Sequence, residues 1–291
     1  VTVVTGTLDV AWNHGRTGEP PIQIHVYDEN TVILRQSKTA TYEAPFMFLL
    51  FGDERALLLD TGATEDSPLR ETVDRLIAER HPSPGYGLVV AHSHPHGDHV
   101  AGDAQFEDRP DTVVVGHSPE AVHDFFGTEK CDLGGRELTI LYSPGHHAAA
   151  ITVFDPRTGF LLTGDTVLPG RLYVFDHAAF VSTMDQLVEF AESHPVTHVL
   201  GCHVEMRRRP RRDYAIGVTY QPDERAPQMT VAQLRAARDA AHAIKGRRGF
   251  HRFDDFVIVN EPRKRDVRRL LLRGYLAKAL GRRKPPRIRT G

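Results

Sequence analysis

Residues 91–102 read "AHSHPHGDHVAG", four histidines and an aspartate in the eight positions from His92 to His99. Four imidazoles this close are not needed to fill a core. The ordered subset His94-x-His96-x-Asp98-His99 has the residue types of a metal site, since neutral imidazoles and a carboxylate suit zinc. His94 and His96, two apart in an extended loop, can point the same way. Asp98 and His99 are adjacent, so their side chains diverge. One short loop can therefore feed two neighbouring metals. His92 sits where the preceding strand ends and is expected to pack or support rather than ligate.

Four residues do not fill two coordination shells. Three further candidates share one context downstream. "LTILYSPGHH" (138–147) places His146 after an apolar run and a Pro-Gly turn. "FLLTGD" (160–165) places Asp165 after the next run, and "HVLGCH" (198–203) places His203 after a later one. "LLLDTG" (57–62) puts Asp60 in the same position again. Every candidate lies just past a predicted strand, so ligands far apart in sequence can converge on one sheet edge.

The rest of the body supports a layered α/β (α+β) sandwich with helices covering sheet faces. Short β-branched and aliphatic runs recur, among them "TVILR" (31–35), "FMFLLF" (46–51), "LVVAH" (88–92), "TVVVG" (112–116), "AITVF" (150–154) and "FVIV" (256–259). "DPRTG" (155–159) reads as a hairpin turn. Ser67-Pro68 and Ser118-Pro119 mark helix starts. Ser182 with Asp185, and Thr230 with Gln233, resemble capping boxes.

In motif order and spacing, residues 45–205 resemble the metallo-β-lactamase-fold hydrolase superfamily, particularly its glyoxalase-II-like members. The resemblance implies a four-layer αββα sandwich with a dinuclear site at one edge. It implies that His94, His96 and His146 bind one metal, that Asp98, His99 and His203 bind a second, and that Asp165 bridges them. Asp60 would orient ligands from beneath. Relatives with a di-iron redox centre carry Glu where this chain has His96, so histidine there favours two Zn²⁺, with iron or manganese as alternatives. A metal-activated hydroxide would then cleave an ester, thioester, lactone or lactam bond of a small-molecule substrate, with Asp98 handling the proton. The oxidative alternative in the same superfamily is a mononuclear-iron sulfur dioxygenase. The basic pair that glyoxalase-II members use to hold the thiol has no identifiable counterpart in the helical segment 228–245.

Candidates to line a substrate pocket are His147, beside a ligand, Arg171 and Tyr173 in "TGDTVLPGRLYVFD", and Tyr214 and Tyr220 in the segment after His203. Cys202 reads as a small buried filler. The chain has 291 residues, two cysteines and a net charge of −2. So few cysteines make neither a disulfide framework nor a thiolate zinc site. With no secretory leader pattern in the given residues, a cytoplasmic setting is expected. G-x-S-x-G and phosphate-loop motifs are absent, which disfavours serine hydrolase and nucleotide chemistry.

The net charge hides an asymmetry. Residues 263–291 hold twelve Lys/Arg and one acid, Asp266, so they carry about +11 against about −13 for the rest. The expected organisation is a catalytic unit over 1–262 and a basic amphipathic helix and tail over 263–291. Val267, Leu270, Leu271, Leu272, Tyr275, Leu276 and Leu280 would form an apolar stripe. That stripe docks on the body, or it serves contact with nucleic acid or anionic membrane.

Overall fold

Period-two alternation along the strands sorts the apolar residues into three separate layers of core. In the computed structural model, which describes residues 6–127, 129–244 and 246–280, the strands are β1 (Ile22–Asp28), β2 (Thr31–Gln36), β3 (Phe46–Phe51), β4 (Arg55–Leu59), β5 (Gly87–Ala91), β6 (Thr112–Val114), β7 (Lys130–Asp132), β8 (Glu137–Tyr142), β9 (Ile151–Asp155), β10 (Phe160–Gly164), β11 (Arg171–Val174), β12 (His198–Gly201), β13 (Gln228–Met229), β14 (Gly249–Arg252) and β15 (Val257–Asn260). The α-helices are α1 (Leu69–Arg80), α2 (Gly97–Val100), α3 (Pro119–Phe126), α4 (His177–Ser193), α5 (Val231–Ala243) and α6 (Lys264–Leu280).

One six-stranded sheet has the order β1-β2-β3-β4-β5-β6, a second has β13-β12-β10-β9-β8-β7, and a small third has β11-β15-β14. Ile33, Phe48, Leu50, Leu57, Leu59 and Val89 of the first sheet face Ile140, Ile151, Val153, Phe160, Leu162 and Leu200 of the second. The intervening residues of the first sheet, such as Val32, Leu49, Leu58 and Val90, pack instead against Leu69, Val73, Leu76 and Ile77 of α1. The outer face of the second sheet, including Phe154, Leu161 and Val199, packs against α4 through Met184, Leu187 and Val188 and against α5 through Leu234 and Ala237. Strands buried on both faces carry near-continuous apolar runs, which is why "FMFLLF" and "FLLTG" lack polar alternation. Helix, sheet, sheet, helix is the expected αββα order.

Local signals were met unevenly. Ser118 caps α3 by accepting from the Ala121 amide, and Thr230 with Gln233 forms a complete capping box on α5. The turn at 155–159 closes with Gly159 N–H donating to the Asp155 carbonyl. Two expectations are corrected. The Ser67 hydroxyl has no partner among the described residues, and α1 begins without a side-chain cap. Ser182 and Asp185 lie inside α4, whose cap is Asp176 accepting from the Ala179 amide. The sequence patterns were right about helix existence; α1 starts one residue later than expected, after Pro68, and the expected α4 cap Ser182 lies six residues past the true cap.

α6 lies where the basic helix was expected, but its apolar stripe is mostly uncovered. Among its residues only Asp266, Leu270 and Gly274 are buried. Gly274 permits the contact: a Cβ there would sit 2.5 Å from the Ile216 carbonyl oxygen. Arg273 grips both carboxylate oxygens of Asp213 at 2.8 and 2.9 Å. No helix among the described residues is long and apolar enough to cross a membrane.

Candidate metal centre

The strand directions explain how distant residues meet. β8 and β9 are antiparallel, β9 and β10 are antiparallel, and β10 and β12 are parallel. β8, β10 and β12 therefore end at one edge of the second sheet. His146 follows β8, Asp165 follows β10 directly, and His203 follows β12. On the first sheet β4 and β5 run parallel, so Asp60 and the His94–His99 loop emerge side by side. The two sheets are pinned there by Ile151 N–H donating to the Ser93 carbonyl at 2.8 Å.

Two donor sets result. His94 Nε2, His96 Nδ1 and His146 Nε2 converge with mutual distances of 2.9, 3.0 and 3.1 Å. Asp98, His99, Asp165 and His203 form the second set, their donor atoms all within 4.8 Å of one another. Asp165 stands between them. Its Oδ1 lies 3.7 Å from His99 Nε2 and 3.4 Å from His203 Nε2, and its Oδ2 lies 3.9 Å from His146 Nε2.

The outer hydrogen bonds set the tautomers. His146 Nδ1–H donates to the Tyr173 carbonyl at 2.7 Å, and His203 Nδ1–H donates to the Glu43 carbonyl at 3.0 Å. His99 Nδ1–H donates to Asp60 Oδ2 at 2.9 Å. In the neutral rings each Nε2 is then a bare lone pair aimed at the site. Asp60 is fully buried and also accepts from the Ser93 amide, the Ser93 hydroxyl and the Cys202 thiol. Cys202 is thus more than a filler. Asp60 adopts φ of 69°, a strained conformation for a non-glycine residue. Four accepted hydrogen bonds hold it there.

A cation fits this arrangement. Tetrahedral zinc with Zn–N bonds of about 2.0–2.1 Å spaces nitrogens roughly 3.4 Å apart, a few tenths of an ångström wider than the three-histidine set. Asp165 Oδ1 is buried and lacks any hydrogen-bond partner among the described residues. An orphaned carboxylate oxygen beside converging lone pairs calls for a positive charge.

The two sets differ electrostatically. Burial and the neighbouring imidazoles hold His94 well below the usual histidine range, and burial with His146 pushes His96 down to about 4. Burial lowers His146 as well. These rings stay neutral, ready as ligands. In the second set burial also pushes His203 down, but Asp165 and Asp98 overcome it and raise the ring to about 10. His99 is likewise raised, with Asp60 and Asp165 outweighing burial. Asp98 resists burial through its bond to His203 and stays below the usual carboxylate range.

A cavity of about 70 Å³ opens beside the second set, lined in part by Asp98, Asp165, Tyr173, His203, Glu205 and Tyr214. Arg171 also borders it, yet four of its five side-chain N–H groups are taken: Nε by the Tyr173 hydroxyl, both of Nη1 by Asp213 and the Tyr214 carbonyl, and one of Nη2 by Glu205. It braces the wall. Tyr214 accepts from the Asp223 amide through its hydroxyl. Tyr220 is outside this lining and packs near His14, with ring centroids 5.8 Å apart. His147 is half-buried, 5.4 Å from His96 between ring centroids, and its Nδ1 accepts from the Ala149 amide. His92 stays out of both sets and bonds Asp103 at 2.8 Å. A larger groove of about 730 Å³ lies between residues 6–14 and 221–228 and is lined by no member of either donor set, so size does not mark the chemistry here.

Sequence reasoning missed Ser93, Glu43, Glu205 and Phe175. Phe175 is 57% exposed with its ring 5.8 Å from that of His146, at the rim of the three-histidine set. Its only sequence signal is its place two residues after Tyr173, on the same side of the strand end; its exposure is not readable from the sequence. Glu205 carries the spacing signal of a residue two after His203.

Fold and donor geometry together place two clusters of candidate metal donors at one edge of an αββα sandwich. The metallo-beta-lactamase superfamily model matches residues 41–129 and 119–240, and the chain belongs to that superfamily. It is similar to the hydroxyacylglutathione hydrolase of Dechloromonas aromatica (strain RCB), 26% identical over 215 residues, covering 72% of this chain and 74% of that one. The hydroxyacylglutathione hydrolase of Synechococcus sp. (strain JA-3-3Ab) is 26% identical over 158 residues, 51% of this chain and 60% of that protein, so this match spans less than two thirds of the relative. Among solved structures, a metallo-beta-lactamase from Pontibacter korlensis superposes with a TM-score of 0.54 at 16% identity, covering 76% of this chain and 99% of that one. TMB-1 gives 0.54 at 13% identity, covering 78% and 100%. These two likenesses establish the fold.

Proposed function

We propose that the chain is a dinuclear metal-dependent hydrolase, with zinc as the metal, acting on an ester, thioester, lactone or lactam bond of a small molecule. The observation that carries this reading is the convergence of seven donors into two sets with Asp165 between them. His94, His96 and His146 would hold one ion, and Asp98, His99 and His203 the other. Bound there, the metal pair supplies a Lewis acid for a carbonyl oxygen and lowers the pKa of water from 15.7 toward about 7.

The chain's own groups do the rest. Asp98, kept ionised, receives the proton of the attacking water at a carboxylate oxygen and returns it to the leaving group. Tyr173 accepts from Arg171 Nε through its hydroxyl oxygen, which leaves its own proton free to donate to a substrate oxygen. Burial pushes that phenol up to about 12, so it stays protonated at neutral pH. The 70 Å³ cavity admits only a small group beside Asp98. The hydroxyacylglutathione hydrolases among the relatives favour an acyl thioester within this class. The complete second donor set favours the two-metal hydrolase over a mononuclear-iron dioxygenase, which would use one set.

Metal analysis with a panel of acyl ester, thioester, lactone and lactam substrates tests the proposal. About two zinc ions per chain are expected, with turnover abolished by chelation and restored by zinc. One iron per chain with oxygen consumption refutes it.

A further inference from the structure

Most surface helices bury their apolar face. α6 does the reverse. Leu271, Leu272, Tyr275 and Leu276 are 50–73% exposed, while only Leu270 and Gly274 provide buried apolar contact. At 100° per residue these four exposed side chains fall within an arc of about 140°, on the side opposite Leu270 and Gly274. Cations share and border that arc: at the same 100° per residue Lys264, Arg265 and Arg268 fall within it, in the turns before the leucines, and Arg269 and Lys278 lie at its edges. Arg263, Lys264, Arg265, Arg268, Arg269 and Lys278 are all exposed, and the one acid of this segment, Asp266, is buried. The sequence continues with Arg282, Arg283, Lys284, Arg287 and Arg289, outside the described residues.

We propose that α6 is a docking helix that lies on a bilayer surface rich in anionic lipid. The pattern fits that occupant on both counts. Exposed leucines and a tyrosine supply area to sink into the acyl boundary, and the arginines and lysines reach the headgroup phosphates. A second copy of the same face would bring two cationic helices together with no exposed acid on either to offset them. A nucleic acid would satisfy the cations but leave the leucine arc in water. With too little apolar length to span, the helix lies in the interface. Its buried side rests on the 213–216 segment through Arg273 and Gly274. Tyr214, Ala215 and Ile216 of that segment line the cavity beside Asp98. Docking therefore brings the candidate site close to the lipid surface.

Vesicle sedimentation of the full chain tests this, using phosphatidylcholine alone and phosphatidylcholine with roughly one third phosphatidylglycerol. Binding to the anionic vesicles is expected to be about tenfold tighter or more, and to weaken as salt rises. The triple variants Leu271→Ser/Leu272→Ser/Leu276→Ser and Arg265→Glu/Arg268→Glu/Arg269→Glu alter exposed positions only. Each should reduce binding about tenfold or more while leaving the circular dichroism spectrum unchanged. Equal binding to the two vesicle types, or none to either, overturns the proposal. So does undiminished binding by the leucine variant with displacement by a single-stranded oligonucleotide, which marks a general polyanion contact. A dimer in sedimentation equilibrium that the leucine variant dissolves overturns it in favour of a second copy.

Discussion

The two donor sets sit a few ångströms apart and are built on opposite electrical principles. His94, His96 and His146 are three imidazoles whose basicity is suppressed by burial and by one another. Asp98, His99, Asp165 and His203 alternate carboxylates with imidazoles whose basicity is raised. The first set is a preformed bowl of lone pairs that a cation enters without displacing protons. The second is held together by ion pairs without metal, and a cation must replace those protons. Sequence spacing creates the difference. Residues 94 and 96 share a side of an extended loop, whereas residues 98 and 99 fall in the first turn of α2 and face the carboxylates.

The largest effect should come from the three-histidine set. His96→Ala removes a ligand that faces solvent on its other side, so the fold survives while the first ion loses one of three imidazoles. Turnover should fall at least about a thousandfold, with metal content dropping toward one ion per chain. Unchanged turnover, measured as kcat/KM on the best substrate of the panel, breaks the assignment of the bowl as a working metal site.

Asp60→Asn probes the second set. The variant keeps the shape but no longer offers a second acceptor oxygen for His99, Ser93 and Cys202. Affinity of the second ion should fall about 10- to 100-fold, with the first ion less affected. Competition with a coloured chelator reads the two affinities separately. An equal loss at both sites would show that Asp60 acts on the whole edge, not on His99.

The contrast between legible and illegible parts has a physical origin. The His94–His99 motif is local, and strand ends place His146, Asp165 and His203, so a pattern of apolar runs followed by a ligand reveals them. Arg171 is different. Its sequence position beside the site suggested substrate contact, but Glu205 and Asp213, more than thirty residues away, absorb its donors. Spacing carries no information about such long-range neutralisation. Strand β1 is half exposed and interleaves polar residues, so its apolar runs did not mark it. The leucines of α6 show the limit of helical periodicity: it reports which residues share a face, not whether anything covers that face.

His92 offers a smaller effect. It bonds Asp103, which also accepts from the Thr61 hydroxyl and from His117 at 2.8 Å. The Thr61 backbone N–H in turn donates to the His99 carbonyl at 2.8 Å. His92→Ala leaves Asp103 with two donors, so turnover should change only a few-fold. A loss as deep as that of Asp60→Asn would make His92 a determinant of the second set and blur its separation from supporting residues.

The smallest signal expected, about one proton per chain, is also the most direct measure of the difference between the sets. In metal-stripped protein near pH 7, His96 at about 4 is neutral and His203 at about 10 is protonated. The first zinc equivalent should therefore release almost no protons and the second about one or more, read by calorimetry in buffers of different ionisation enthalpy. Stability of the stripped chain should follow the same logic. His203 is raised above its unfolded value of about 6.5, so its contribution is full below that pH and is lost as pH climbs through about 10. His96 is depressed, so the unfolded chain binds its proton first and stability falls as pH drops from about 6.5 through about 4. Denaturant midpoints should accordingly decline on both sides of neutrality, and zinc should remove the alkaline decline by replacing the proton on His203. Proton release concentrated in the first equivalent would reverse the order of filling and with it the electrical distinction between the two halves of the site.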